Sequence, residues 1–396
     1  MELTICDVMR NWAGNVTFRA RQLHSPSTGP SLRALVARSP RLRVVGTGHT
    51  FNELTDTTGD LVSLARMPKT FDLDTDRHQV RIGGELTYAD ICPRLDAGGW
   101  ALANLASLPH ISVAGAVATG THGSGEHNGC LSTSVAAVEL VTADGDEVTL
   151  SRGDEGFEGA VVSLGALGVV TALTLDLVPS FELRQYVFDD ALTTDYATPG
   201  YSVSVFTDWD TSQLWVKDTA PPRVGRTAAD GPRHPIAGMP TGNCTQQLGV
   251  PGPWHERLPH FRAEFLPSAG EELQSEFMVA REHADEAVAE LAKVGELLRP
   301  VLHVSEIRSV AADGLWLSPA YGRATVALHF TWLKEPARVL EAVKLVESVL
   351  RPFDPRPHWG KIFVTRPGID PRFLELAGRF DPGAKFRNEL LDELLG

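Results

Sequence analysis

Residues 301–310 read VLHVSEIRSV and residues 324–333 read ATVALHFTWL. Both runs are rich in β-branched and aromatic residues, and alternate side chains of a strand share a face. Val304, Glu306, Arg308 and Val310 therefore share one face of the first strand, and Thr325, Ala327, His329 and Thr331 share one face of the second. Val326, Leu328, Phe330 and Trp332 form an apolar opposite side that predicts packing against helices. The first reading of the polar side is an ordinary solvated sheet face. The second is a site, because a solvated face usually carries more Lys and Glu than Val, Ala and Thr. Charges on a covered face are costly unless paired, and function tolerates that cost.

Around these strands, residues 284–298 and 335–350 carry the apolar stripe of amphipathic helices. Residues 277–281 and 361–364 read as short strands. The resulting order, βαββαβ, is a ferredoxin-like split unit. In the N-terminal third, 41–45, 61–64 and 79–86 read as strands. Residues 88–97 read as a helix capped by Thr87 and stopped by Gly98 and Gly99. Residues 135–141 and 147–150 form a hairpin around Ala143-Asp144-Gly145-Asp146. The most apolar stretch, 160–178, contains Gly165, Gly168 and Asp176, so it reads as a buried helix, loop and strand and not as a membrane span. Residues 190–270, rich in Pro, Gly, Thr and Asp, give no clear elements.

The 396 residues suggest two or three structural units. With 36 Lys and Arg against 50 Asp and Glu, the net charge is −14. That balance argues against nucleic acid as a partner and, more weakly, against anionic membranes. Cys6, Cys92, Cys130 and Cys244 lie far apart with no CxxC pair, so a reducing cytosol is the simple expectation. Residues 1–15 lack the basic and apolar regions of a leader. The expected protein is a cytoplasmic monomer.

Several motifs fail. Residues 44–51, VVGTGHTF, start like a dinucleotide fingerprint, but Phe51 stands where its third glycine belongs. Asp72, Asp74 and Asp76 mimic a calcium loop, yet Arg77 and Gly83 occupy the positions of its Gly and Glu. Pro259, between His255-Glu256 and His260, breaks any zinc helix, and no GxSxG elbow exists. No metal is expected. Three other motifs survive. In Gly46-Thr47-Gly48-His49-Thr50-Phe51-Asn52, two glycines let backbone N–H groups close on a phosphate. His49 is then a ligand, a covalent anchor or an incidental residue of a tight turn. Residues 112–129, SVAGAVATGTHGSGEHNG, preceded by Ala106, Ser107 and Pro109, read as a glycine-rich loop that approaches a ligand. Two such loops suggest one long ligand with a diphosphate, which FAD fits. In His358-Trp359-Gly360-Lys361, the lysine either snorkels at the surface or fixes a positive charge over a pocket.

Together with Asn11-Trp12-Ala13-Gly14-Asn15, Ser305-Glu306-Ile307-Arg308, Leu317-Ser318-Pro319-Ala320-Tyr321-Gly322-Arg323, His329-Phe330-Thr331-Trp332 and Pro357-His358-Trp359-Gly360-Lys361, these stretches resemble the vanillyl-alcohol-oxidase type of flavoprotein, and within it the alditol (xylitol) oxidases. The resemblance covers nearly the whole chain. The first loop and HWGK are shared with aldonolactone oxidases, whereas SPAYGR and HFTW look specific to the alditol branch. The resemblance implies an α+β, two-domain flavoprotein. An FAD-binding domain would span 1–179, and a substrate (cap) domain holding the ferredoxin-like unit would span 180–368. Residues 369–396 would return to the first domain. By the same matching, Val45, Gly46, Thr47, Gly48, His49, Thr50, Ser107, Ser112, Gly115, Thr119, Gly120, Thr121, His122 and Val169 would hold FAD, with a covalent 8α-histidyl bond at His49. Ser107, Glu306, Arg308, Thr331 and Lys361 would bind substrate.

The implied reaction is oxidation of the terminal primary alcohol of a linear polyol, xylitol or sorbitol, to the aldose, with dioxygen reduced to hydrogen peroxide. Lys361 and Arg308 would stabilise developing alkoxide, and His329 would be the base. Glu306 would accept a hydroxyl and hold Arg308, and Thr331 would orient the chain. A sugar-lactone oxidase or dehydrogenase of the same fold is the alternative. Glu306, Arg308, His329 and Lys361 argue against a non-catalytic flavoprotein module.

Overall fold

A computed structural model describes residues 9–265 and 270–396. Cys6 and residues 1–8 of the stretch read for a leader lie outside the described residues. The strands Leu302–Val310 and Thr325–Leu333 pair antiparallel at the centre of an eight-stranded sheet. Thr325–Leu333 is flanked on its other side by Glu272–Ala280, which in turn pairs with Arg356–Pro357. These four strands have the 4-1-3-2 order of a ferredoxin-like unit. The helices Ala284–Lys293 and Pro336–Leu350 cover one side. Val326, Leu328, Phe330 and Trp332 face that layer and are all but sealed from solvent. Phe330 and Trp332 stack at 5.1 Å, and the Trp332 indole donates to Ser275 Oγ. The aromatic bodies thus contribute apolar burial while the buried indole N–H stays satisfied.

In and around this sheet the elements differ from the sequence reading in four places. The first strand of the unit is Glu272–Ala280, so it begins five residues before 277. The helix read over 284–298 breaks after Lys293 and resumes at Gly295–Leu298, where a helix interior would give the backbone of Gly295 no side chain to pack. The strand read at 361–364 is instead Arg356–Pro357, and Lys361 follows it in a turn closed by Lys361 N–H to His358 O. The stretch 190–270 supplies three strands: Ser202–Thr207 and Ser212–Asp218, which extend the sheet beyond Leu302–Val310, and the short edge strand Gly252–Pro253.

The N-terminal part holds a five-stranded antiparallel sheet. Its order is Phe71–Asp74, Gln79–Gly83, Val169–Asp176, Val135–Val141 and Glu147–Ser151. The hairpin of its last two strands and the helix Tyr88–Ala97 follow the sequence reading. Thr87 and Asp90 cap that helix reciprocally. A smaller parallel sheet, Gln22–His24, Asp60–Val62 and Leu42–Val44, leads into the Gly46 loop. The glycine-rich stretch 112–129 is not all loop: Val113–Ala118 is one short helix of small residues.

Residues after 369 pack back onto this part. Asn388 Nδ2 donates to the carbonyls of Glu53, Leu54 and Asp56, and Arg43 Nη1 reaches Phe386 O at 2.7 Å. Among the described residues no helix is long and apolar enough to cross a membrane.

Candidate active site

Backbone pairing sets the site. Glu276, His329 and Glu306 stand in one register row across three adjacent strands. Side chains in such a row are near neighbours on one face, and here that face turns away from the helices and toward the glycine-rich loops. Phe206 continues the row on the next strand, and Arg308 sits two residues beyond Glu306. Lys361 comes from the turn after Arg356–Pro357, and the Gly46 loop fixes that turn. Phe51 N–H donates to Gly360 O, and Asn52 Nδ2 donates to the carbonyls of Trp359 and Lys361. The Gly46 loop is itself held from below by Asn11 and Asn15, whose amides donate to Thr50 O and Phe51 O.

The charged groups are paired. Lys361 Nζ donates to Glu276 Oε2 at 2.5 Å and to His329 Nδ1 at 2.9 Å. Arg308 Nη2 donates to Glu276 Oε1 at 2.6 Å. His122 Nε2 lies 3.2 Å from the same oxygen. Arg308 Nε is 3.5 Å from Glu306 Oε2. Arg308 is thus held between Glu276, through a hydrogen bond, and Glu306, through charge. His329 Nε2 meets Thr331 Oγ1 at 3.0 Å. With Nδ1 accepting from the ammonium, Nε2 carries the hydrogen that goes to Thr331.

Burial alone would raise the Glu276 carboxyl, but Lys361, His122 and Arg308 outweigh it and hold it well below the usual carboxylate range. Burial likewise opposes ionisation of Glu306, and Arg308 overcomes it, bringing the carboxyl to about 2. Burial, reinforced by Lys361, pushes His329 down to about 4, so its ring is neutral at pH 7. Two carboxylates then face two cations.

This cluster shares one cavity of about 400 Å³ with the glycine-rich loops. Val45, Gly46, Thr47, Gly48, His49, Thr50, Ser107, Ser112, Gly115, Thr119, Thr121 and His122 all line it, as do Glu306, Arg308, His329, Thr331 and Lys361. A Cβ on Gly46 would come within 2.5 Å of Ser112 Oγ, so the two glycine-bearing loops approach each other closely here. His49 stacks on Trp12 at 4.9 Å.

Three residues expected at the FAD sit in particular surroundings. Val169 turns its side chain into the core with Leu32, Val36 and Leu42, and the adjacent Gly168 and Val170 line the cavity. The strand's two-residue alternation accounts for that shift. Gly120, at φ +64°, lies off the cavity against Pro319, whose Cδ a Cβ would meet at 2.8 Å. His122 lines the cavity but points to Glu276, and its Nδ1 donates to Gly123 O at 2.8 Å.

Glu276, Gln274 and His260 line the same cavity and escaped the sequence reading. The period of Gln274, Glu276 and Met278 was the available signal for the first two. His260 lies in an irregular segment without periodicity. The residues fit FAD: a long cleft runs between two tight glycine-bearing loops and ends at a polar, charge-balanced cluster.

Comparison with known proteins agrees. A family profile described as FAD binding domain matches residues 31–151, and one described as D-arabinono-1,4-lactone oxidase matches 271–394. Cholesterol oxidase from B. sterolicum superposes with a TM-score of 0.77 over 98% of this chain and 96% of its own, at 16% identity, a likeness of fold alone. Fold and site together define a two-domain FAD-dependent oxidoreductase of the vanillyl-alcohol-oxidase type. An alditol oxidase from Streptomyces sp. is 50% identical over 97% of this chain and 98% of its own. An L-gulono-1,4-lactone dehydrogenase from Mycobacterium tuberculosis is 27% identical over 98% of this chain and 99% of its own. The chain belongs to the alditol oxidase family.

Proposed function

We propose that this protein oxidises the terminal primary alcohol of a linear polyol such as xylitol or sorbitol to the aldose. Dioxygen is reduced to hydrogen peroxide, and FAD is carried covalently on His49. The observation that carries this reading is the continuity of one cavity from the Gly46 loop to the Lys361 cluster. When bound, FAD supplies the hydride acceptor. The chain's own residues orient the alcohol and manage its proton. Lys361 and Arg308 stabilise developing alkoxide on the reacting oxygen. Glu276 is too acidic to act as base, because Lys361, His122 and Arg308 hold it ionised. His329 is neutral and receives the proton through Lys361 Nζ, which bridges it to the reacting oxygen. Two carboxylates balanced by two cations suit an uncharged polyhydroxylated substrate and disfavour an aldonate.

A sugar lactone is also uncharged. The 50% identity to an alditol oxidase, against 27% to a lactone dehydrogenase, favours the polyol. The described cysteines are free, which supports a reducing, cytoplasmic setting. The proposed domain limits are 1–179, 180–368 and 369–396, and the contacts of Asn388 and Arg43 support the return of the last segment to the first domain. The test is peroxide release by the purified holoenzyme with xylitol, sorbitol and galactonolactone. Peroxide with the polyols supports the reading, and turnover of the lactone alone overturns it.

A further inference from the structure

His260 takes no part in the chemistry above, yet it lines the cavity and is 4% exposed. Its ring is rigidly mounted. It packs edge-on against Phe206 at 5.1 Å and Trp215 at 5.5 Å. Thr245 N–H donates to His260 O, and the buried Lys217 ammonium donates to the two preceding carbonyls, of Leu258 and Pro259. His260 Nδ1 meets Ser107 Oγ at 3.1 Å. Among the described residues its Nε2 has no hydrogen-bond partner, and neither does Glu306 Oε1. These two buried atoms face each other across 3.9 Å. That gap is too long for a hydrogen bond. It matches two bonds of about 2.8 Å meeting at a single oxygen at roughly 90°.

Resting on the polyol reading, we propose that His260 Nε2 and Glu306 Oε1 together bind a second hydroxyl of the substrate, which makes His260 a specificity-determining residue. The polarity of the bonds follows from the acceptor-only carboxylate. The hydroxyl donates to Glu306, so it must accept from His260 Nε2–H. Nδ1 then accepts from the Ser107 hydroxyl, which turns its lone pairs toward the cavity. Burial and the positive charges of Lys217 and Arg308 keep the ring neutral, with the single N–H this scheme needs. The second hydroxyl lies away from the reacting carbon. Lys361 approaches from the Glu276 side of the register row, whereas His260 packs on Phe206 beyond Glu306. Glu276 and Glu306 stand two strand spacings apart in the row, roughly 10 Å between backbones, so the second hydroxyl belongs to a carbon further along the chain.

The test is steady-state kinetics of the flavin-loaded wild type, His260→Asn and His260→Gln on xylitol and sorbitol, with flavin content checked by absorbance. Gln places an N–H near the Nε2 position, whereas Asn reaches only the Nδ1 position. The expected result is KM raised about 10- to 100-fold in H260N, with the loss on KM and not on kcat, and largely restored in H260Q. Unchanged KM in H260N overturns the inference. So do equal losses in both variants, which would make the ring a packing element. A wild type that turns over no polyol rejects the underlying reading and this inference with it.

Discussion

Lys361 and Glu276, 85 positions apart in the chain, bring ammonium and carboxylate to 2.5 Å on the floor of the cavity, with the Glu276 side chain sealed from solvent. Removing one partner of such a pair leaves the other charge buried and alone, at a cost of about 3–5 kcal/mol. E276Q is expected to melt at lower temperature than wild type and to turn over more slowly, because Arg308 and Lys361 lose the group that aims them. K361M is expected to lower turnover by about 100-fold or more while flavin absorbance persists. The double variant should be less destabilised than the sum of the two, as measured by thermal melts in a double-mutant cycle. Near-normal turnover in K361M would remove the role assigned to this lysine.

Acid should weaken the fold through its neutral histidines. The folded pKa of His329, about 4, lies below the unfolded value of about 6.5. Between those values the unfolded chain binds the extra proton, so stability is full above about pH 6.5 and is lost as pH falls toward 4. Calorimetric melts at pH 7 and pH 5 should show a lower midpoint at pH 5, and the difference should be smaller in His329→Asn.

Covalent attachment of flavin can be read from colour. Acid-precipitated wild type is expected to keep its yellow absorbance in the pellet. His49→Ala is expected to release it to the supernatant. Colour in the wild-type supernatant would remove the covalent role of His49 without touching the family assignment.

The buried Arg43 guanidinium donates to no carboxylate among the described residues but to the carbonyls of Leu54, Leu164, Gly165 and Phe386. A lysine has three donors and no planar fork, so R43K leaves buried carbonyls unmet. The expected loss is about 2 kcal/mol or more, read by denaturant unfolding of the holoenzyme. A loss below ~0.5 kcal/mol would show that water replaces those bonds.

Strand period made half of the candidate site visible in the sequence. Glu306, Arg308, His329 and Thr331 stand out because polar residues recur every second position on one side of an otherwise apolar run. Glu276 obeys the same period, but starting its strand at Phe277 hid it, since Gln274-Ser275-Glu276 looks like loop on composition alone. The HWGK motif marks Lys361 in the sequence but not its geometry: a turn, pinned by Asn52, carries it and no strand does. His260 had no periodic signal at all, because its position depends on tertiary partners, Trp215 and Phe206 on one side and Lys217 behind it. The ferredoxin-like order was legible because two amphipathic helices and two strong strands punctuate it. The strands within 190–270 were not, since Pro- and Gly-rich connections dilute the composition around Ser202–Thr207 and Ser212–Asp218.

The clamp made by Asn388 on the carbonyls of Glu53, Leu54 and Asp56 joins residues 335 positions apart at its widest. Translation delivers the two halves of that clamp at very different times. The loop bearing His49 leaves the ribosome early and waits for residues 386–388 before its far side is secured. Maturation of the holoenzyme is therefore a late event in the life of the polypeptide, and a frameshift or nonsense codon anywhere before Asn388 would leave the His49 loop without its final anchor.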